Sequence, residues 1–345
     1  MLLLVFFIVN FDMNQELLVR LFRSIEGDPT EDIILVAERI IEDETKKGHT
    51  NLANKLSEIL KKNVHNYSSF RGELKSLLPQ GVSIPKDKRY NIPLATHVER
   101  DLLRHYMILP EEIESKIQRI EKEFVAKDRL GHYGLYPKQK ILLYGAPGCG
   151  KSMAAERIAW TIGLPFLKVR FEAIISSYLG ESASNLKRLF ESIKAFPCVL
   201  LLDEFDFIAK SRSSTGQDVG EMHRLVNLLL NLLEDYQAPG ILVATTNFEG
   251  IIDHALFRRF DEIVEMPKPG KEQIIQIFKQ TLSSISISKK INWNRFTDSI
   301  VGVSSATVVK IANDAAKLAV LSGEKVIDEG HLQTALQENL ILIKK

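Results

Sequence analysis

The sequence predicts an α/β protein in which a parallel sheet is sandwiched by helices, followed by an all-helical lid and preceded by a small helical module. Three observations point there. Short apolar runs at 141–144, 165–171, 198–202, 241–244 and 262–266 alternate with stretches of helical periodicity, the pattern of a doubly wound sheet covered on both faces. Beyond Pro267 the strand-like runs stop, and helical patterns fill 271–283, 293–300, 304–322 and 328–341. Between the first apolar run and the helix after it lies a glycine-rich GxxxxGK[ST] signature, the mark of a phosphate-binding loop.

Length and charge agree with this architecture and exclude others. The 345 residues carry 45 basic against 44 acidic side chains, enough chain for two domains at roughly 100–200 residues each. With a net charge of +1 there is no basic surplus for a general polyanion binder. Cys149 and Cys198 are the only cysteines, too few for a disulfide framework, so a reducing, cytoplasmic setting is expected.

Residues 1–12 form an apolar leader of about half the length of a membrane span, with neither a basic n-region nor a cleavage site. They read as lying upstream of a true start at Met13, so stable membrane insertion is not expected. Residues 13–63 read as three short amphipathic helices, the second opened by Asp28-Pro29-Thr30-Glu31, which combines an N-cap, a first-turn proline and an acid at N3. Residues 64–109, with Pro79, Gly81, Pro85 and Pro93, read as a linker carrying one helix near 94–105. The α/β domain is expected over 110–268, opened by a helix from Pro110, and the helical lid over 269–345.

The phosphate loop is Gly145-Ala146-Pro147-Gly148-Cys149-Gly150-Lys151-Ser152, with Met153 opening the next helix. Its glycines let backbone N–H groups surround phosphates at the positive end of a helix. Lys151 is expected on the β- and γ-phosphates and Ser152 on Mg²⁺, making ATP and Mg²⁺ the expected cofactors. Cys149 reads as a variable loop position, not a nucleophile. The apolar run ending in Asp203-Glu204 places two carboxylates at the end of a buried strand, an arrangement that needs compensating charge. Beside a phosphate loop, Asp203 suits Mg²⁺ and Glu204 suits the attacking water. Asn247 ends the run Ala244-Thr-Thr-Asn247; it either positions the same water or makes a turn.

Together these segments resemble AAA+ ATPases over residues 110–340, in particular the narrow AAA clade that includes katanin, spastin and the proteasomal ATPases. Ser177-Tyr178-Leu179-Gly180-Glu181-Ser182 is similar to that clade's first pore loop, and Ser211–Gly220 to the adjacent one. Ala255-Leu256-Phe257-Arg258-Arg259-Phe260-Asp261 matches the stretch bearing its arginine fingers. Gly302-Val-Ser-Ser-Ala306 looks like the lid's GxSGA element, with Ser305 where glycine is usual.

The resemblance implies a homo-oligomeric ring, usually a hexamer, with ATP held between the α/β domain and the lid. It also implies a polypeptide substrate gripped in a central pore by Tyr178 and Leu179. Arg258 and Arg259 would then serve the nucleotide of a neighbouring subunit, although alone they read as a surface basic pair. No HExxH or serine-protease constellation appears, so any proteolysis requires a separate partner. The leading expectation is an ATP-hydrolysing protein remodeller. The alternatives are a DNA-metabolism ATPase (a loader or transposition helper) or a nucleotide-dependent scaffold. The missing basic tract counts against nucleic acid, as does the start of the lid helix, Ser304-Ser305-Ala306-Thr307, which lacks the arginine that many AAA+ proteins outside the narrow clade carry there; intact Glu204, Asn247 and paired arginines favour turnover.

Overall fold

In the computed structural model the described residues are 37, 40–41, 50–63, 83–175, 181–204, 219–247, 257–283, 285–324 and 326–339. The chain divides into two compact units, Met1–Leu77 and Leu78–Lys345. In the first unit, helix α1 (Thr50–Asn63) buries Leu52, Ala53 and Leu56, the one-sided spacing expected of an amphipathic helix. The leader 1–12 and the Asp28-Pro29 helix start lie outside the described residues.

The second unit is built on six strands: β1 (Ala95–Val98), β2 (Lys140–Tyr144), β3 (Phe166–Val169), β4 (Val199–Leu202), β5 (Ile241–Thr246) and β6 (Glu262–Glu265). Their spatial order is β1-β3-β4-β5-β2-β6. All pairings are parallel except that of β1 with β3.

Alternation along the strands shows why their apolar runs are continuous. Leu142, Leu200, Leu202, Leu242 and Ala244 enter one core, beneath helices α4 (Glu181–Ser192) and α5 (Val219–Glu234). Ile141, Leu143, Val199, Leu201, Ile241 and Val243 enter the other, beneath α2 (Glu111–Val125) and α3 (Lys151–Ile162). Both faces are therefore dry, so neither can be polar. Helix α3 packs through the small side chains Ala154, Ala155 and Ala159, which brings the helix after the phosphate loop close to the sheet.

The lid comprises α6 (Lys271–Thr281), α7 (Trp293–Asp298), α8 (Ser305–Leu321) and α9 (Glu329–Glu338), with its own core centred on Phe278, Ile311 and Leu332. Phe278, Trp293 and Phe296 meet there at centroid distances of 5.3–6.2 Å. Helices α7, α8 and α9 are capped by Asn292, Ser304 and Asp328, whose side chains accept backbone N–H bonds.

Two expectations need correction. The lid is not purely helical, because Ser286–Ile287 and Val326–Ile327 pair as a short parallel ladder. The segment expected to be helical near 94–105 instead forms β1 and a 3-10 turn at Arg100–Leu102. Thr96 and Val98 are β-branched, and the open edge of β3 supplies a partner that helical periodicity cannot reveal. Among the described residues no helix is long and apolar enough to cross a membrane.

Candidate functional site

The chain leaves β2 between β5 and β6 and next enters the sheet at β3, on the far side of β5 and β4. Such a switch point opens a crevice at the carboxyl ends of the strands, where α/β sheets bind ligands. The loop at this point fits the space by its glycines. Gly145 has φ +134, and a Cβ there would lie 2.5 Å from the Met266 carbonyl oxygen. Gly148 has φ +77, and its missing side chain leaves room for Ser304 of the lid.

Lys151 is 7% exposed, and its Nζ donates to the carbonyls of Gly145 at 2.7 Å and Ala146 at 2.8 Å. These bonds fold the loop over its own lysine. Cys149 packs into the core beneath the loop, in keeping with a structural position.

Ser152 Oγ donates to Asp203 Oδ1 at 2.7 Å, and Thr245 Oγ1 donates to the same oxygen at 2.6 Å. The Glu204 N–H donates to Thr245 Oγ1 at 3.0 Å. Lys168 Nζ donates to Asp203 Oδ2 at 2.6 Å. Burial raises the Asp203 pKa, but the bonds from Lys168, Thr245 and Ser152 outweigh it, so the carboxyl lies below its ordinary value. Glu204 is exposed and has φ +55, a left-handed conformation that costs a non-glycine residue about 1–3 kcal/mol. The Thr245 bond helps to hold that turn.

Ser152, Asp203, Glu204 and Thr245 share one cleft of about 710 Å³ with Pro147 to Lys151 of the phosphate loop and Asn247, while Lys168 reaches Asp203 from outside its lining. Its apolar lining comes from Met107, Ile108 and Leu109 and, in the lid, from Ile277 and Val309. The segment leading to Met107 is fastened to α3. Arg104 donates to Glu156 through its backbone N–H and its guanidinium, and the His105 ring stacks on Trp160 at 3.9 Å. The lid touches the loop directly, since the Ala306 N–H at the start of α8 donates to the Gly148 carbonyl at 3.0 Å. Serine at 305 therefore does not prevent backbone approach of this element.

The structure thus gathers Gly148 to Met153, Asp203, Glu204 and Asn247 in one place. Arg258 and Arg259 are elsewhere: with Lys140 and Glu234 they line a separate pocket of about 270 Å³, where Arg259 pairs with Glu234 at 3.2 Å. Tyr178 and Leu179, like most of 211–220, lie outside the described residues. Sequence reading missed Thr245, Lys168 and the wall at 104–109. Thr245 had a signal, a hydroxyl closing an apolar strand; a single lysine in β3 had none.

The donor set fits the cofactors expected. Ser152 and Asp203 offer hard oxygen atoms of the kind Mg²⁺ prefers. The loop offers N–H groups at the N-terminus of a 12-residue helix, and the cleft adds the apolar side chains of Met107, Leu109, Ile277 and Val309.

Comparison with known proteins agrees with this geometry. Residues 141–268 match the model of the ATPase family associated with various cellular activities (AAA). Over 323 residues, 94% of each chain, this one is 32% identical to an uncharacterized AAA family ATPase, y4kL, of Sinorhizobium fredii. It is also 29% identical over 243 residues to the ATP-dependent zinc metalloproteases FtsH of two Helicobacter pylori strains. That match takes in 68% of this chain but spans only 38% of the FtsH length.

Proposed function

Because the chain belongs to the AAA family of ATPases, we propose that it hydrolyses ATP with Mg²⁺, works as a homo-oligomeric ring, and uses turnover to remodel polypeptides. The observation that carries the ATPase reading is the Ser152–Asp203–Thr245 cluster, set beside the phosphate loop in a cleft that the lid roofs over.

Ser152 and Asp203 would hold Mg²⁺, which when bound supplies charge neutralisation at the phosphates. The residues of the chain do the rest. Lys151 exchanges its carbonyl partners for phosphate oxygens, releasing the loop to wrap them. Thr245 fixes the Asp203 carboxylate and the Glu204 backbone together, so the Glu204 carboxylate is held at the mouth of the cleft to take a proton from water. Asn247, on the same rim, orients that water. Met107, Leu109, Ile277 and Val309 exclude solvent around the base. The Ala306–Gly148 bond ties lid position to loop shape, so a change at the phosphates is felt by the lid.

Ring assembly is supported by where the arginines are. Arg258 and Arg259 do not line the cleft of their own chain, and a cation that serves the phosphates from elsewhere has to come from another copy. Contacts of that head-to-tail kind close into rings. A polypeptide substrate is supported by the Tyr178-Leu179 segment and the even charge balance. The likeness to FtsH adds a relative whose name joins ATP to proteolysis, but this sequence has no zinc-protease signature. The adjacent arginines and the pore-like segment support placement in the narrow AAA clade.

The test is Mg²⁺-dependent phosphate release by wild type, Lys151→Ala and Glu204→Gln, with the Glu204→Gln protein used to trap partners. We expect turnover to vanish in both variants, with Glu204→Gln retaining ATP in a stable ring that captures protein. An unchanged rate in Lys151→Ala overturns the ATPase reading, and recovery of DNA instead of protein overturns the substrate reading. Arg259→Ala subunits mixed with Glu204→Gln subunits should regain activity if the arginines act across chains.

A further inference from the structure

Among the described residues Asp203 accepts hydrogen bonds from three side chains, and one of them is a cation. Ser152 and Thr245 are neutral hydroxyls that share Oδ1. Oδ2 is taken by the ammonium of Lys168 at 2.6 Å. We propose that Lys168 is a positioning residue, a built-in counter-cation that occupies Asp203 between turnovers and competes with the divalent cation for it. It thereby sets how much Mg²⁺ the site needs and how firmly the site keeps Mg·ADP. The proposal rests on the ATPase reading above.

Backbone and side chain of Lys168 are held very differently. The strand is fixed from both sides: Lys168 is in register with Leu201 of β4, two residues before Asp203, and with Thr96 of β1. Its side chain is 48% exposed, whereas Lys151 is enclosed. The ammonium can therefore swing into water without a burial penalty while the strand stays still. Lysine suits this task because it is a compact point charge on a flexible stem, not a planar fork locked to a carboxylate. The other nearby cations are engaged elsewhere: Arg170, just past the strand, with Glu172 at 2.8 Å, and Arg104, which also feels the Asp203 charge, with Glu156 at 2.9 Å.

Charge sets the order of events at Asp203. A carboxylate at a partly buried strand end needs a counter-ion, and Lys168 supplies one. A divalent cation held by Ser152 and Asp203 places two further positive charges within a few ångströms of the ammonium. Like charges at that range repel even through water, so Lys168 must withdraw as the cation enters and presses for its departure afterwards.

The experiment titrates a fluorescent ADP analogue into the full chain, in EDTA and at graded Mg²⁺, for wild type, Lys168→Met, Lys168→Gln and Lys168→Arg. Thermal melting confirms folding. Removal of the charge should lower the half-saturating Mg²⁺ and tighten Mg·ADP by about tenfold. Affinity in EDTA should stay at the wild-type value, and Lys168→Arg should keep or raise the Mg²⁺ requirement. If either neutral variant that folds needs as much Mg²⁺ as wild type, or more, the proposal is overturned, as it is by an equal change in EDTA. Wild type that binds no ADP under any condition removes the ATPase reading, and this inference falls with it.

Discussion

Thr245→Val is the sharpest perturbation the site offers. Valine keeps the shape of threonine, so it removes one oxygen from a residue that is 1% exposed and disturbs little else. That oxygen serves two neighbours: it donates to Asp203 Oδ1 at 2.6 Å and accepts from the Glu204 N–H at 3.0 Å. A bond to a charged group contributes about 1.5–3 kcal/mol, and an ordinary backbone bond such as that of the exposed Glu204 about 0.5–1.5 kcal/mol. Taking about 2–4 kcal/mol for the pair and placing it on the transition state gives a loss in kcat of about thirty- to a thousandfold. Relaxation of Glu204 from its left-handed turn adds to the loss. The assay is steady-state phosphate release, alongside nucleotide affinity and thermal melting. Thr245→Ser restores the oxygen and should restore most of the rate. The reasoning fails if Thr245→Val turns over as wild type does, or if Thr245→Ser is as impaired as Thr245→Val.

Gly148→Ala and Glu114→Gln probe the lid contact and the seat of α3. In Gly148→Ala a side chain must adopt φ +77 and meet Ser304 Oγ at 2.8 Å, so lid and loop cannot keep their present contact; ATP affinity should fall about tenfold for a cost of about 1–2 kcal/mol, and an unchanged affinity in equilibrium titration would show that the contact does not matter. Glu114→Gln removes a carboxylate that accepts two guanidinium bonds from Arg157 of α3, at 2.6 and 2.5 Å, and one from Gln118 at 2.8 Å. The Arg157 bonds come first among the causes that hold the Glu114 pKa below its ordinary value. A depressed carboxyl contributes stability above its unfolded pKa and loses it as pH falls through the folded one. Melting at pH 7 should therefore drop by about 2–6 °C, and the gap to wild type should close below about pH 4; a gap that persists in acid defeats the account.

The range of the forces involved decides how much of this was legible in the sequence. Five of the six strands could be read, the inner ones because burial on both faces demands uninterrupted apolar runs, and 141–144 and 198–202 have few other uses. That Lys151, Ser152 and Asp203 would meet in one cleft could be read because the loop signature fixes residue type and spacing within a short stretch and the paired acids mark the end of an apolar strand. β1 could not, since Ala95–Val98 becomes a strand only by finding the edge of β3, more than sixty residues on. Lys168 was invisible for the same reason: a lone lysine in a strand is ordinary until the fold sets it against Asp203. The lid ladder of Ser286–Ile287 with Val326–Ile327 is two residues per strand, below the length at which alternation has meaning.

The antiparallel β1 also bears on where this protein can be divided. The resemblance and the helix start at Pro110 both suggest that the catalytic part begins there, and a truncation at that point looks harmless on paper. It would strip the outer strand from β3 and lay bare a row of N–H and C=O groups beside Leu167 and Val169, both now nearly fully covered. Exposed strand edges of that composition recruit strands from other molecules. A well-behaved fragment therefore has to begin ahead of Ala95, and residues 83–94, where Lys86 bridges Pro93 and Ile84 and Ile92 pack against the core, are part of the folded body, not packaging around it.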